Sequence, residues 1–284
     1  MKKNILIADA GGTSTTWCII KEEGEVERYK SLGFSPVHHN KVDLSERLKE
    51  IAIDTNSIGS VYFYGAGIGS DFYKKKVIEA LSLNFPEAKI EAYSDLLAAA
   101  HATAGNEKGM TCILGTGSNV AFYDGKKIKQ TQASLGYILG DEGSGAHLGK
   151  TLINSYFYNE LSEELKQKLE ENYPSNIDEV LENVYKKANA NKYLASYARF
   201  LQENRGNVQI EKILEDCFNA FFEKQLLHYS EAKDYPVHYI GSVAFIFKDV
   251  LENLHKKYRI NLGRVLQDPL ENLIAFYKSK NLHL

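Results

Sequence analysis

The sequence predicts an α/β fold of two related lobes with an interdomain cleft, and three features of the chain lead to that reading. Residues Ile5 to Ile20 read as a strand, a Gly-Gly turn and a second strand. Residues Thr111 to Asp124 repeat the device about a hundred positions later, with a Gly-Thr-Gly-Ser turn between two apolar runs, which suggests two related halves. Around both copies, short apolar strands alternate with amphipathic helical stretches, the pattern of layered α/β architecture. At 284 residues the chain is long enough for two modest domains with their own cores.

Each element can be justified in order. In the first strand–turn–strand, Asp9 closes the strand, Gly11 and Gly12 form the turn, and Thr13 adds a hydroxyl. Glycines at such a corner let backbone N–H groups face outward without a Cβ in the way, a concavity suited to a polyphosphate. A carboxylate at the strand end suits a hydrated Mg²⁺ that arrives with a nucleotide. No Gly-Lys-Ser/Thr follows, which excludes the common strand-to-helix P-loop. Val26–Leu32 reads as a third strand leading into Gly33-Phe34-Ser35-Pro36. Leu44, Leu48 and Ile51 have helical spacing over Asp43–Ile53. Ser60–Tyr64 is a β-rich run ending in a glycine-rich loop, and Asp71 is placed to cap the helix carrying Tyr73, Val77, Ile78 and Leu81. Ala88–Tyr93 is the next strand, and Ser94-Asp95 joins it directly to an alanine-rich helix. A carboxylate at a strand-to-helix junction either caps the helix or occupies a site at the sheet edge.

The second half repeats the order, with strands expected over 111–115, 119–123 and about 126–133. Between these and the helices lies Leu135 to Gly149, in which glycines cluster around Asp141-Glu142-Gly143-Ser144. Such a run makes no core helix; it lets the backbone approach a ligand, and Asp141 and Glu142 offer acceptors for hydroxyl groups. Ser144 can cap the helix that follows, and His147 on that helix has an ordinary structural reading. From Lys150 to about Tyr229 the chain is helical, broken at Tyr173-Pro174-Ser175-Asn176, with Phe218, Phe221 and Phe222 reading as core or subunit contact. The Glu163–Glu171 charge run reads as a solvated helix face. Val237–Ile240 is a strand that turns at Gly241-Ser242 into another helix. Asn261–Pro269 reads as the last strand, and a helix over Leu270–Lys278 follows it and crosses back to the first domain.

Composition sets outer limits. Hydrophobic residues at 44% and charged residues at 25% match a soluble globular chain. A formal net charge of −3 provides no basic field, so nucleic acid is not expected as a partner. Cys18, Cys112 and Cys217 lie far apart and form neither a disulfide framework nor a CxxC pair; the first two fall in apolar runs where a buried thiol is expected. The apolar run after Lys3 is broken at Asp9, too early for a signal-peptide core, and nothing approaches the roughly 20 apolar residues of a membrane span. A cytoplasmic protein without membrane contact is expected.

Taken in order, Asp9-Ala10-Gly11-Gly12-Thr13, Gly115-Thr116-Gly117-Ser118 and the corner at Gly241-Ser242 resemble the two phosphate motifs and the adenosine motif of the actin-like ATPase superfamily of sugar kinases, chaperone ATPases and actin. Gly140-Asp141-Glu142-Gly143-Ser144 resembles the signature of its N-acetylglucosamine kinase branch, shared with ATPases that activate acyl-CoA reductases. The resemblance runs from residue 9 to about 245. It implies two ribonuclease-H-like lobes: an N-terminal lobe over residues 1–105, joined by a helix from about 268–284, and a C-terminal lobe over 106–267 with a helical insertion. It implies ATP and Mg²⁺ as cofactors, with nucleotide contacts from Asp9, Gly11, Gly12, Thr13, Gly115, Thr116, Gly117, Ser118, Gly241 and Ser242, and the metal held through water by Asp9. Asp95 matches the base for the sugar hydroxyl. Ser35, Asp95, Thr116, Gly136, Asp141 and Glu142 match sugar-contacting positions. The implied reaction is ATP-dependent phosphorylation of an amino sugar at the 6-hydroxyl by a homodimer, with N-acetylglucosamine, N-acetylmuramate and glucosamine as acceptors to distinguish.

The chain departs from the pattern at Leu135, where many members carry tryptophan, at Ser35, where asparagine is common, and at Ala10 and Ser14 in the first turn. The first two bear on which sugar is taken. Two other functions fit the superfamily. An activator of an acyl-CoA reductase would bridge an iron–sulfur cluster between subunits through cysteines. A sugar-sensing regulator would need a DNA-binding module, and none is read ahead of residue 5.

Overall fold

A computed structural model describes residues 4–11, 14–34, 36, 41–49, 51 and 53–281. The chain divides into two compact units, Met1–Gly105 with Pro269–Leu284, and Asn106–Asp268. The first unit is built on β1 (Asn4–Ala10), β2 (Ser14–Ile20), β3 (Val26–Leu32), α1 (Lys41–Lys49), β4 (Ile58–Gly65), α2 (Asp71–Ser82), β5 (Lys89–Ser94) and α3 (Asp95–Thr103). Its sheet runs β3-β2-β1-β4-β5, with β1, β2 and β3 antiparallel and β1, β4 and β5 parallel. The central place of β1 explains its unbroken apolar run: Leu6, Ile7 and Ala8 have no exposed surface because both faces of the strand are covered. The edge strand β3 instead alternates, exposing Arg28, Lys30 and Leu32.

The second unit opens with β6 (Gly109–Leu114), β7 (Ser118–Tyr123) and β8 (Ile128–Lys129). Helices follow: α4 (Gly136–Leu139), α5 (Gly145–Phe157), α6 (Glu163–Asn172), α7 (Ile177–Tyr185), α8 (Ala190–Ser196), α9 (Ala198–Glu203) and α10 (Val208–Lys224). It closes with β9 (Val237–Ile240), α11 (Ser242–Ile246), α12 (Lys248–Tyr258) and β10 (Leu262–Leu266). Its sheet runs β8-β7-β6-β9-β10, with β6–β7 and β7–β8 antiparallel and β6–β9 and β9–β10 parallel. Strand for strand this is the topology of the first sheet, so the repeated turn motif in the sequence reflects a repeated fold. Phe218, Phe221 and Phe222 are fully buried in this unit's core.

The last helix, α13 (Leu270–Asn281), packs in the first unit. The Tyr277 and Tyr64 hydroxyls lie 2.7 Å apart, the Tyr64 hydroxyl lies 2.8 Å from His101 Nδ1, and the Tyr62 and Tyr277 rings stack at 4.1 Å. The Arg28 guanidinium reaches both carboxylate oxygens of Glu271, at 2.7 and 2.9 Å.

Two local expectations need correction. The cap of α2 is Ser70, whose hydroxyl accepts from Tyr73 N–H, and Asp71 is the first helical residue. The strand expected over about 126–133 is only two residues long, because the Thr131 and Gln132 amides turn away to the Tyr229 hydroxyl at 3.1 and 3.2 Å.

Burial of three histidines gives the fold an acid limit. His101, His238 and His255 are each lowered to about 4, mainly by desolvation, with Lys280 and Arg264 lowering the first two further. His238 Nδ1 accepts from Arg264 N–H, and His255 is held between Tyr239 and Ile260. A histidine whose folded pKa is depressed takes up protons more readily in the unfolded chain, so stability is full above the unfolded pKa near 6.5 and is lost as pH falls. Between pH 7 and pH 5 each should cost about 1–2 kcal/mol, together a large part of the stability of an ordinary domain. Urea midpoints at the two pH values should differ sharply; equal midpoints would show that the three rings are not held neutral.

Candidate active site

In the first unit the strand register gathers the candidate residues on one edge of the sheet. Ala10 of β1 pairs with Gly65 of β4, which pairs with Ser94 of β5. Asp9 therefore stands one residue before that line and Asp95 one residue after it. They are two strands apart, roughly 10 Å across the sheet. Gly11 N–H donates to Ser14 O at 3.0 Å and closes the first turn. Gly12, Thr13 and Ser35 lie outside the described residues.

Ser94, not Asp95, caps α3: its hydroxyl accepts from Leu97 N–H at 3.3 Å. Asp95 is the first helical residue, and its Oδ1 accepts from Leu96 N–H at 2.9 Å. Although the residue keeps some exposed surface, desolvation of the carboxyl pushes its pKa up against the pull of the backbone amides. A carboxylate with raised proton affinity at a strand-to-helix junction is suited to accept a proton from a ligand hydroxyl.

In the second unit the turn 115–118 is braced from three directions. Gly145 N–H and Ala146 N–H, in the first turn of α5, donate to Gly115 O and Thr116 O at 2.8 and 3.1 Å. These amides are thus consumed within the protein, and any phosphate at the turn must be met by the turn's own groups. Gly241 closes on the turn from the β9 corner, where an added Cβ would stand 2.1 Å from Leu114 O and 3.1 Å from Gly115 N. Asp141 lies along the third side: its carboxylate accepts from Ser118 N–H, and a Cβ on Gly117 would stand 2.8 Å from Asp141 Oδ2. Burial, with the Glu142 charge adding to it, raises the Asp141 pKa, and Ser118 N–H and Lys150 oppose that shift. Glycine is needed at 117 and 241 because the Asp141 carboxylate and the end of β6 already occupy the space that a Cβ would take.

Glu142 is engaged within the same unit, accepting from Gln225 Nε2 at 2.8 Å and lying 3.7 Å from Lys224 Nζ. Ser144 caps α5 by accepting from His147 N–H. His147 Nδ1 accepts from Gly143 N–H at 3.1 Å, which places its proton on Nε2, and burial lowers its pKa. A pocket of about 240 Å³ opens among Ser118, Gln132, Leu135, Gly140, Asp141 and Glu142, small for a nucleotide. Gly136, at the head of α4, holds a φ of +71°. Gly241 N–H donates to Leu266 O at 3.0 Å and Ser242 opens α11. The sequence reading missed Gln225, which stands in no recognisable motif: it follows a long helix 107 positions beyond Ser118.

The model of the BadF/BadG/BcrA/BcrD ATPase family matches residues 8–262, nearly the whole chain. The chain belongs to that family. Use of ATP follows from membership. A solved structure from Porphyromonas gingivalis, provisionally named an N-acetylglucosamine kinase, is 37% identical over 99% of this chain and 100% of its own, with a TM-score of 0.91. A second bearing the same provisional name, from Chromobacterium violaceum, is 14% identical over 96% of this chain and 98% of its own (TM-score 0.72), and shows the shared fold. So does a glucokinase of the ROK family from Streptomyces griseus, solved with glucose and AMPPNP, 16% identical over 97% and 98% (TM-score 0.55). The two mixed sheets are thus those of the actin-like ATPase and sugar-kinase fold. No curated protein matches the chain.

Proposed function

We propose that this family member is an ATP-dependent kinase that phosphorylates the 6-hydroxyl of an amino sugar, with N-acetylglucosamine or a close relative as acceptor. The observation that carries the reading is Asp95: a desolvated carboxylate with raised proton affinity, freed of the capping role by Ser94, on the same sheet edge as Asp9. The full-length relative at 37% identity favours N-acetylglucosamine as the acceptor class.

In this reading Asp95 accepts the proton of the sugar hydroxyl as its oxygen bonds to the γ-phosphorus and the bond to the ADP oxygen breaks. The turn at 115–118, braced by α5 and Asp141, holds the phosphates. Asp9 fits the single carboxylate needed to hold, through water, a Mg²⁺ that enters with ATP and neutralises phosphate charge. Catalysis by these side chains is mainly positioning, with one proton moved to a fixed acceptor.

The activator reading requires thiolates that can reach a shared cluster. Cys18, Cys112 and Cys217 are all buried, and burial pushes Cys18 and Cys217 up to about 11 and Cys112 upward as well. Neutral, buried thiols do not favour it.

The test is kcat/KM for N-acetylglucosamine, N-acetylmuramate, glucosamine and glucose with Mg·ATP, the product identified by mass. N-acetylglucosamine should lead. The exposed aliphatic Leu135 beside the pocket should leave N-acetylmuramate within about tenfold, since apolar contacts discriminate by only about 1–3 kcal/mol. Glucose or glucosamine ahead of both acetylated sugars by more than about tenfold would overturn the acceptor assignment but not the kinase. ATP consumed with none of the four would remove the amino-sugar kinase reading.

A further inference from the structure

Gln225 follows α10 and joins two of the candidate site's parts. Its Nε2 lies 2.8 Å from Glu142 Oε2 and 3.0 Å from Ser118 Oγ. A carboxylate oxygen can only accept, so the atom facing it is the NH₂ group, and its two hydrogens serve the two neighbours. Ser118 Oγ must then be an acceptor toward Gln225, and its own proton points elsewhere. Ser118 lines the small pocket beside the 115–118 turn, so a ligand oxygen there can receive that proton. Glu142, itself 3.7 Å from Lys224 Nζ, fixes the amide from the far side.

We propose that Gln225 is a positioning residue that sets the Ser118 hydroxyl as a hydrogen-bond donor to the nucleotide phosphates, with Glu142 holding the Gln225 carboxamide in register. The proposal rests on the reading that the 115–118 turn holds phosphates, and it goes beyond that reading by giving Glu142 a function through Gln225. One short chain of contacts, Lys224–Glu142–Gln225–Ser118, thereby connects the Asp-Glu-Gly-Ser loop to the phosphate turn.

The experiment is calorimetric titration with Mg·ATP in the absence of sugar, beside thermal melts of each variant. Gln225→Leu and Ser118→Ala should each weaken binding by up to about tenfold, and the double variant should be no worse than about twofold below either, because both remove the same donor. Gln225→Met keeps the length of the side chain and adds no charge beside Glu142, but it has no N–H to donate. It should therefore weaken binding about as much as Gln225→Leu, whereas a purely space-filling role predicts wild-type affinity. Should Gln225→Leu fail to fold, the near-isosteric Gln225→Met against Ser118→Ala carries the test alone. Multiplied effects in the double variant, wild-type affinity in Gln225→Met, or an effect confined to the sugar KM would each overturn the proposal. Wild-type protein that binds no Mg·ATP would overturn it together with the phosphate role of the turn. Wild-type protein that binds Mg·ATP but phosphorylates no sugar would strike only the kinase reading, and the titration would still decide the role of Gln225.

Discussion

Asp95→Asn is expected to lower kcat for phosphoryl transfer by about 10²–10⁴ while leaving Mg·ATP affinity within about threefold, since the amide keeps the shape and cannot accept the proton. The same change should raise the thermal midpoint. Burial raises the pKa of the Asp95 carboxyl. An acid whose folded pKa exceeds its unfolded value destabilises the fold above that pKa, and the penalty vanishes only below the unfolded value. Asparagine carries no such charge and can still accept from Leu96 N–H, as Asp95 does at 2.9 Å. A rise in the midpoint is expected, the exchange of stability for activity that a base at this position would make. Activity of the wild type should also fall in acid at a higher pH than an ordinary aspartate would give. A kcat loss below about tenfold would remove Asp95 from the role of base, and a lowered melting point would refute the desolvation argument.

Gly241→Ala should be the most damaging single methyl in the second unit's site. The residue holds a φ of +130°, and the new Cβ would stand 2.1 Å from Leu114 O and 2.6 Å from Leu114 C. Both atoms are backbone, so relief requires moving the end of β6 or the corner after β9, and the latter is pinned by Gly241 N–H to Leu266 O. Backbone strain of about 1–3 kcal/mol and overpacking of similar size add to roughly 2–6 kcal/mol, or a midpoint lower by about 10 °C. Mg·ATP affinity should fall as well, because Gly115 N would lie only 3.1 Å from the added methyl. Gly206→Ala supplies the control: its φ is +86°, yet a Cβ there meets open space. That variant should lose only about 1 kcal/mol, the cost of the left-handed backbone alone. If the two variants melt together, the close approach at Gly241 carries no energetic weight.

What the sequence determined by itself was local. The strand–turn–strand at Asp9 and its copy at Gly115, the strand entering Ser94-Asp95, the break near Pro174 and the burial of Cys18 and Cys112 all follow from period, composition and turn chemistry over a few neighbouring residues. Those signals act within one element, so they survive without knowledge of the chain's path. Helix caps were legible only to within a residue: serines at 70 and 94 precede aspartates, and either type can cap, so the geometry of one hydroxyl had to decide. The tertiary structure alone decided what lies far apart in the chain. β8 stops at Lys129 because the Tyr229 hydroxyl, 98 positions on, takes the Thr131 amide. Asp141 packs beneath Gly117, and Gln225 spans from Glu142 to Ser118 across 107 positions. No periodicity encodes such meetings, since a side chain's hydrogen-bond partner depends on where the whole backbone brings it.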